Sequence, residues 1–354
     1  MKRIVLTGGG TAGHVTPNLA LIPGLLEDGW DIHYIGREDG IERELVSGIA
    51  GVTYHAVASG KLRRYFSLQN FTDPFKVIKG VFQSASIVRK LKPDIVFSKG
   101  GFVSVPVVYG AALNRIPALI HESDMTAGLA NKLTKPFAKK LLCTFPEAAE
   151  AAGSKGVHVG TPIRDDLMHG DAARAREKYG LKQNKPVLLV MGGSSGAQAI
   201  NRCVRQALGD LLEGFQIIHL TGRGNLDASL LGTEGYAQVE YLNDGMNDAY
   251  AAADILISRA GSNSLCEILA LRKPALLIPY PKEASRGDQI LNAQSFESRK
   301  LARVLMQNDM TPETLVENLN KAYRDRGMLI DAMEKEKGRD SVKLVLDLIR
   351  QYAK

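Results

Sequence analysis

The chain has 354 residues, 45% of them hydrophobic and 23% charged, which is enough for two domains with separate cores. The net charge of +7 is unevenly placed: residues 1–163 hold 19 Lys+Arg against 13 Asp+Glu, while the remainder holds 26 against 25, so the first half is the one that suits an anionic partner. No window reaches the ~18 apolar residues of a membrane helix, the apolar run after Met1-Lys2-Arg3 is too short for a signal peptide, and Cys143, Cys203 and Cys266 are too scattered for a disulfide framework or zinc site; the sequence reads as cytoplasmic.

The first predicted strand, 3–7, runs into Gly8-Gly9-Gly10-Thr11-Ala12-Gly13-His14 and a helix over 17–28. A strand that ends in glycines and opens a helix brings backbone close to a ligand and offers the helix N-terminal N–H groups to a phosphate. Gly8-x-Gly10-x-x-Gly13 matches the dinucleotide fingerprint formally, and Glu38 and Asp39, after a strand at 31–35, are the candidate ribose acids. A nicotinamide fold needs a small residue after the last glycine. His14 stands there instead, and a histidine at a helix start suits a general base. The plain alternatives are a ligand-free turn and a structural histidine.

Helices are predicted at 40–47, 74–91, 104–113, 126–135 and 146–152, alternating with strands at 94–97, 117–120 and 140–143. This alternation gives a parallel, doubly wound sheet. His121-Glu122-Ser123-Asp124 follows the 117–120 strand, at the end where such sheets bind ligands. Residues 61–92 hold eight Lys+Arg and one acid, Asp73, around Tyr65, Phe66, Phe71, Phe75 and Phe82. That pattern suits an anionic membrane surface, with a solvated basic face over the core as the alternative. There is no nucleic-acid motif and no aromatic-basic interleaving of the stacking type, so no nucleic acid is expected. Residues 157–163 read as a last strand leaving through Gly160-Thr161-Pro162, where the linker is placed.

The second half repeats the pattern, with strands at 186–191, 215–220, 237–241, 253–257 and 274–279. Its helices are predicted at 197–213, 246–252, 263–271, 288–297, 311–324 and 327–335, and the tail 338–353 carries Val342, Leu344, Val345, Leu348 and Ile349 on one face. Gly192-Gly193-Ser194-Ser195-Gly196-Ala197 is a second strand-to-helix glycine turn. Ser258 through Glu267 starts a helix whose small polar residues can cap it or meet a phosphate, with Glu267 as a carboxylate for two ribose hydroxyls or a solvated face residue. Gln289 and Asn292 share a helix face and can read sugar hydroxyls, or serve as helix-capping and surface residues. No histidine spacing gives a metal site, and no acidic cluster sits at a strand end to hold a divalent ion. A leaving diphosphate would therefore be met by helix N-termini and backbone N–H groups, with no cofactor.

In order, Gly9-Gly10-Thr11-x-Gly13-His14, Gly100-Gly101-Phe102-Val103-Ser104, His121-Glu122, Gly193-Ser194-x-Gly196-Ala197 with Asn201, Arg259-x-Gly261 and Gln289-x-x-Asn292-Ala293 resemble the MurG family of bacterial N-acetylglucosaminyltransferases, which convert lipid I to lipid II in peptidoglycan synthesis. The resemblance spans nearly the whole chain. It implies an α/β GT-B fold, two Rossmann-like domains with parallel sheets facing a central cleft: an acceptor and membrane-facing domain over 1–163, a UDP-GlcNAc domain over 164–340, and a C-terminal helix over 341–354 that packs back on the first. It also implies a peripheral enzyme on the inner face of the cell membrane, acting on a lipid-linked diphosphate acceptor.

The resemblance assigns roles by position. Thr11, Ala12 and Gly13 match donor contacts, Arg164 an arginine past the linker, and Ser194 the diphosphate-loop serine. Leu242 matches the residue whose backbone meets uracil, Ser262, Asn263, Ser264, Leu265 and Cys266 the helix start, Glu267 the ribose carboxylate, and Gln289 the sugar reader. Ala12 stands where the family usually has glycine, Asp124 next to the sugar where it has asparagine, and Asp288 where it is commonly basic. These departures leave room for a paralogue with another acceptor. A UDP-GlcNAc 2-epimerase, a nicotinamide oxidoreductase and a non-catalytic nucleotide-sugar sensor are the competing readings.

Overall fold

A computed structural model describes residues 1–60, 69–193, 196–242, 244–282, 287–336 and 340–354, with backbone alone for 69–74. The chain divides into two compact units, residues 1–164 with 339–354, and residues 165–338.

The first unit holds a seven-stranded parallel sheet of β1 (Arg3–Thr7), β2 (Asp31–Gly36), β3 (Val52–Ala56), β4 (Ile95–Ser98), β5 (Ala118–Glu122), β6 (Lys140–Cys143) and β7 (Gly156–His158), in the order β3-β2-β1-β4-β5-β6-β7. Ile4, Val5 and Leu6 are all fully buried, as expected of a strand covered on both faces by crossover helices. The strand order turns around between β1 and β4, which pair directly, Ile4 with Ile95 through Thr7 with Ser98. That reversal is the switch point at which doubly wound sheets bind ligands.

The Ser341–Tyr352 helix belongs to this first unit. Val345, Leu346 and Ile349 enter the core beside Leu21, Ile22 and Leu25 of the Thr16–Glu27 helix. A Cβ on Gly24 would lie 2.6 Å from Leu346 Cδ1, so glycine there lets the two helices close. Asp340 accepts from Lys343 N–H at 2.9 Å and caps the helix, and Arg350 pairs with Asp28 at 2.7 Å.

The second unit holds a six-stranded parallel sheet of β8 (Val187–Met191), β9 (Gln216–Leu220), β10 (Tyr236–Val239), β11 (Ile255–Ser258), β12 (Ala275–Leu277) and β13 (Arg303–Val304), in the order β10-β9-β8-β11-β12-β13. Its switch point lies between β8 and β11, paired from Leu188 with Ile255 to Met191 with Ser258.

Several elements differ from the sequence expectations, which also lack β13 and the Ala172–Lys178 helix. Strand β3 is absent from the sequence reading because its side chains are only half-covered and form no continuous apolar run. The helix expected over 197–213 breaks at Ala207 into Gln198–Gln206 and Leu208–Gly214. The strand expected over 157–163 is Gly156–His158, and the chain after it is irregular.

Candidate active site

Every candidate loop of the second unit leaves the C-terminal edge of its parallel sheet. The two at its switch point follow the neighbouring strands β8 and β11. In the first of these, Gly196 has φ +75°, and a Cβ there would meet Thr221 O at 2.1 Å, so only glycine closes this turn. Beneath it lies a neutral polar chain. Asn201 Nδ2 donates to Thr221 O at 2.8 Å, Asn201 Oδ1 meets His219 Nε2 at 3.0 Å, and His219 Nδ1 meets Tyr236 Oη at 2.9 Å. Burial holds the His219 imidazole neutral, its pKa pushed down to about 3. Asn201 is thus a buried strut. Ser194 lies outside the described residues.

The second turn opens the Ser262–Leu271 helix from Gly261. Ser262, Asn263 and Ser264 form its first turn. Leu265 and Cys266 send their side chains into the core, and Leu265 N–H is spent on Gly261 O at 3.0 Å. Glu267 is half-buried, and its Oε2 accepts from Tyr250 Oη at 2.7 Å. Arg259 is buried as a brace: it donates to Ile278 O at 3.0 Å and Gln307 Oε1 at 2.7 Å, and it stacks over Tyr280. Gln289 is half-buried, and its Oε1 accepts from Tyr280 N–H at 3.1 Å. Asn292 is fully buried and donates to Ala260 O at 3.2 Å, bracing the same turn. Leu242 is half-buried beyond the end of β10.

The first unit's switch point is built differently. The Gly8–Gly10 turn after β1 packs against Gly100-Gly101 after β4: Gly101 has φ +80°, and a Cβ on it would meet Gly9 O at 2.4 Å. Thr11 opens a 3-10 turn, Ala12–His14, and its Oγ1 lies 2.9 Å from His14 Nδ1, which fixes the imidazole orientation. Gly13 stays half-buried in that turn. A protein carboxylate already sits under these glycines. Glu42 is fully buried and accepts from Gly10 N–H at 3.1 Å and Arg37 N–H at 3.0 Å. The Gly10 amide is therefore spent internally. Glu38 and Asp39, the expected ribose acids, pair at the surface with Arg43 and Arg37.

Behind this turn, Lys99 is buried and donates to Ser123 Oγ. His121 Nε2 lies 2.8 Å from Gly160 O, and burial, reinforced by the Lys99 charge, drives its pKa well below normal. Glu122 accepts from Ser123 N–H at 2.9 Å, Asp124 N–H at 3.2 Å, Gly128 N–H at 2.8 Å and Asn131 Nδ2 at 2.9 Å. Burial raises its pKa against those bonds. Thus Glu122 shapes the loop that carries half-buried Asp124. Arg164 ends the first unit, half-buried.

Glu42, Lys99 and Tyr250 are the residues that sequence reasoning missed. Among the described residues, no group of three His, Cys, Asp or Glu is placed to hold a metal ion, and no helix is long and apolar enough to cross a membrane.

Residues 4–143 match the glycosyltransferase family 28 N-terminal domain and residues 187–348 its C-terminal domain. Over its full length the chain is 53% identical to a UDP-N-acetylglucosamine–N-acetylmuramyl-(pentapeptide) pyrophosphoryl-undecaprenol N-acetylglucosamine transferase of Geobacillus thermodenitrificans, covering 99% of that relative. It is 52% identical to one from Clostridium botulinum, with both chains covered completely. The fold matches the crystal structure of Acinetobacter baumannii MurG with a TM-score of 0.79 and 26% identity over 99% of this chain and all of that one. The glycotransferase of kitacinnamycin shares the fold at a TM-score of 0.76, with 15% identity over all of this chain and 99% of that one.

Proposed function

The chain belongs to the MurG family within glycosyltransferase family 28, and we propose that it moves GlcNAc from UDP-GlcNAc to the C4 hydroxyl of MurNAc in undecaprenyl-diphospho-MurNAc-pentapeptide. In this reading residues 164–340 hold the donor and residues 1–163 the acceptor. One observation carries it: the family's motifs fall on two separate switch points, one ending in a histidine oriented by Thr11, the other in a carboxylate oriented by Tyr250.

The reaction is a single displacement with inversion. With Nδ1–H donating to Thr11 Oγ1, His14 keeps its lone pair on Nε2. That nitrogen takes the proton of the acceptor hydroxyl as its oxygen bonds to C1 of GlcNAc. The C1–O bond to the diphosphate breaks through an oxocarbenium-like transition state. UDP leaves toward the helix N-termini of the second unit, where first-turn N–H groups of Ser262, Asn263 and Ser264 and the Ser194 loop offset its charge. Glu267 accepts both ribose hydroxyls, Leu242 meets uracil through its backbone, and the Gln289 NH2 end reads the sugar. The Leu265 and Cys266 contribution is the backbone path of the helix start, and Asn292 supports it from beneath. Arg164, Thr11, Ala12, Gly13 and Asp124 complete the substrate contacts.

The membrane contact belongs to the first unit. On the Gln69–Leu91 helix, Phe75, Ile78 and Phe82 are 74%, 54% and 69% exposed, with Lys76 and Lys79 beside them. The opposite face, through Gly80 and Ser84, is buried, and nearer the helix end Ala85 and Val88 are buried too. Apolar side chains at i, i+3 and i+7 within a basic rim suit an anionic leaflet. Lys61, Arg63, Arg64, Tyr65 and Phe66 of the same pattern lie outside the described residues, and Phe71 has only its backbone described. The enzyme then works as a peripheral protein on the cytoplasmic face, where the anionic lipid and the lipid-linked acceptor both lie.

The test is UDP release from UDP-GlcNAc with and without a lipid I analogue. Release that requires the analogue supports transfer. Equal release without it, with a changed sugar, gives the 2-epimerase instead.

A further inference from the structure

We propose that Tyr250 is a positioning residue for the nucleotide, holding the Glu267 carboxylate in the one orientation that accepts the ribose hydroxyls. The inference rests on the reading of Glu267 as the ribose acceptor and adds the residue that makes it selective.

Tyr250 lies on the Met246–Ala252 helix and Glu267 on the Ser262–Leu271 helix. The tyrosine is fully buried. Its Oη donates to Glu267 Oε2 at 2.7 Å and lies 3.5 Å from Met191 Sδ. Met191 ends β8, immediately before Gly192. One phenol therefore ties the ribose carboxylate to the strand that opens the second glycine turn.

A half-buried glutamate on a helix has three side-chain torsions and would sample several rotamers. A bidentate acceptor for two vicinal hydroxyls needs one of them. The bond to Oε2 selects it and presents the remaining lone pairs in a fixed plane. The phenol is suited to this single task. Burial, with the Glu267 charge adding to it, keeps its pKa far above the ordinary value, so it stays an O–H donor throughout the working pH range. The ring alone would fill the core equally well as phenylalanine, so packing does not account for the hydroxyl.

The experiment compares the full chain with Tyr250→Phe, Glu267→Ala and the double variant. Calorimetry gives the Kd of UDP and of 2′-deoxy-UDP, and steady-state assays give kcat and KM for UDP-GlcNAc. Tyr250→Phe is expected to weaken UDP about tenfold and 2′-deoxy-UDP much less, raising KM with kcat within about twofold. Glu267→Ala should abolish the discrimination, and adding Tyr250→Phe to it should change nothing further. Full discrimination in Tyr250→Phe, with Glu267→Ala losing it, overturns the proposal and leaves the Glu267 reading standing. Full discrimination in Glu267→Ala overturns both. If the Phe variant does not fold, 13Cζ-tyrosine NMR of the parent chain decides: the Tyr250 resonance should move more with UDP than with 2′-deoxy-UDP, and equal movement overturns the proposal.

Discussion

The two units share one strand order about the switch point and build that point from different residues. In the second unit the glycine turn rests on the uncharged chain Asn201–His219–Tyr236, and a neighbouring helix start carries Glu267. In the first unit the corresponding turn is underlain by charge. Glu42 occupies the Gly10 amide, Lys99 is buried against Ser123, and a histidine follows the last glycine. A glycine turn with one of its amides held by a protein carboxylate is a mount for a side chain. One floored by Asn201, His219 and Tyr236 with the Arg205 cation alongside, and a helix start beside it, suits a diphosphate. The charge of the chain divides the same way, with the excess in residues 1–163.

The largest effect should come from the mounted side chain. His14→Ala is expected to lower turnover ~10²–10⁴-fold, the range of a general base; a steady-state assay with saturating lipid I analogue checks this, and unchanged turnover removes His14 from the role. The mount itself comes next. Glu42→Ala removes a fully buried carboxylate and its hydrogen bonds from the exposed Gly10 and half-buried Arg37 N–H groups, and losing hydrogen bonds to a charged group costs ~1.5–3 kcal/mol. Urea denaturation should show a loss of that order, and a loss under ~0.5 kcal/mol would show that Glu42 does not hold the turn.

The pH response sharpens the contrast from beneath both turns. His121 and His219 are buried neutral, with folded pKa values below the unfolded value of ~6.5. The unfolded chain then binds more protons at low pH. Stability is full above pH ~6.5 and falls as pH drops toward about 3. His219→Gln should flatten that slope in denaturation curves recorded across the window, and an unchanged slope would assign it to other groups.

The smallest effect per residue is expected at the membrane. Replacing Lys61, Arg63 and Arg64 with Glu should weaken co-sedimentation with anionic vesicles by ~1 kcal/mol for each basic residue lost, more at low salt than at high, with UDP-GlcNAc binding intact. Equal sedimentation returns this stretch to a solvated basic surface.

Strands β1 and β8 and both glycine turns are legible in the sequence because fully buried parallel strands are continuous apolar runs and a strand-to-helix turn needs glycine. Strand β3 is not, since its half-covered residues carry no such run. Glu42 sits in Ile41-Glu42-Arg43-Glu44, where every acid looks solvated; only the fold turns one of them inward. Lys99, between Ser98 and Gly100, gives no pattern at all. Asn201 and Arg259 are visible as motif residues, yet their work as buried struts emerges only once their acceptors, Thr221 O and Ile278 O, are placed. Tyr250 reads as a core aromatic in a short helix, and its hydroxyl gains meaning only beside Glu267.

The division of labour between the two switch points is tested most directly by titrating UDP into His14→Ala and Glu267→Ala side by side. The account predicts that His14→Ala binds UDP within a few-fold of the parent, while Glu267→Ala loses roughly 1.5–3 kcal/mol, the worth of hydrogen bonds to a charged acceptor. Equal weakening in both variants would contradict it, because the first unit's turn would then be holding the nucleotide as well.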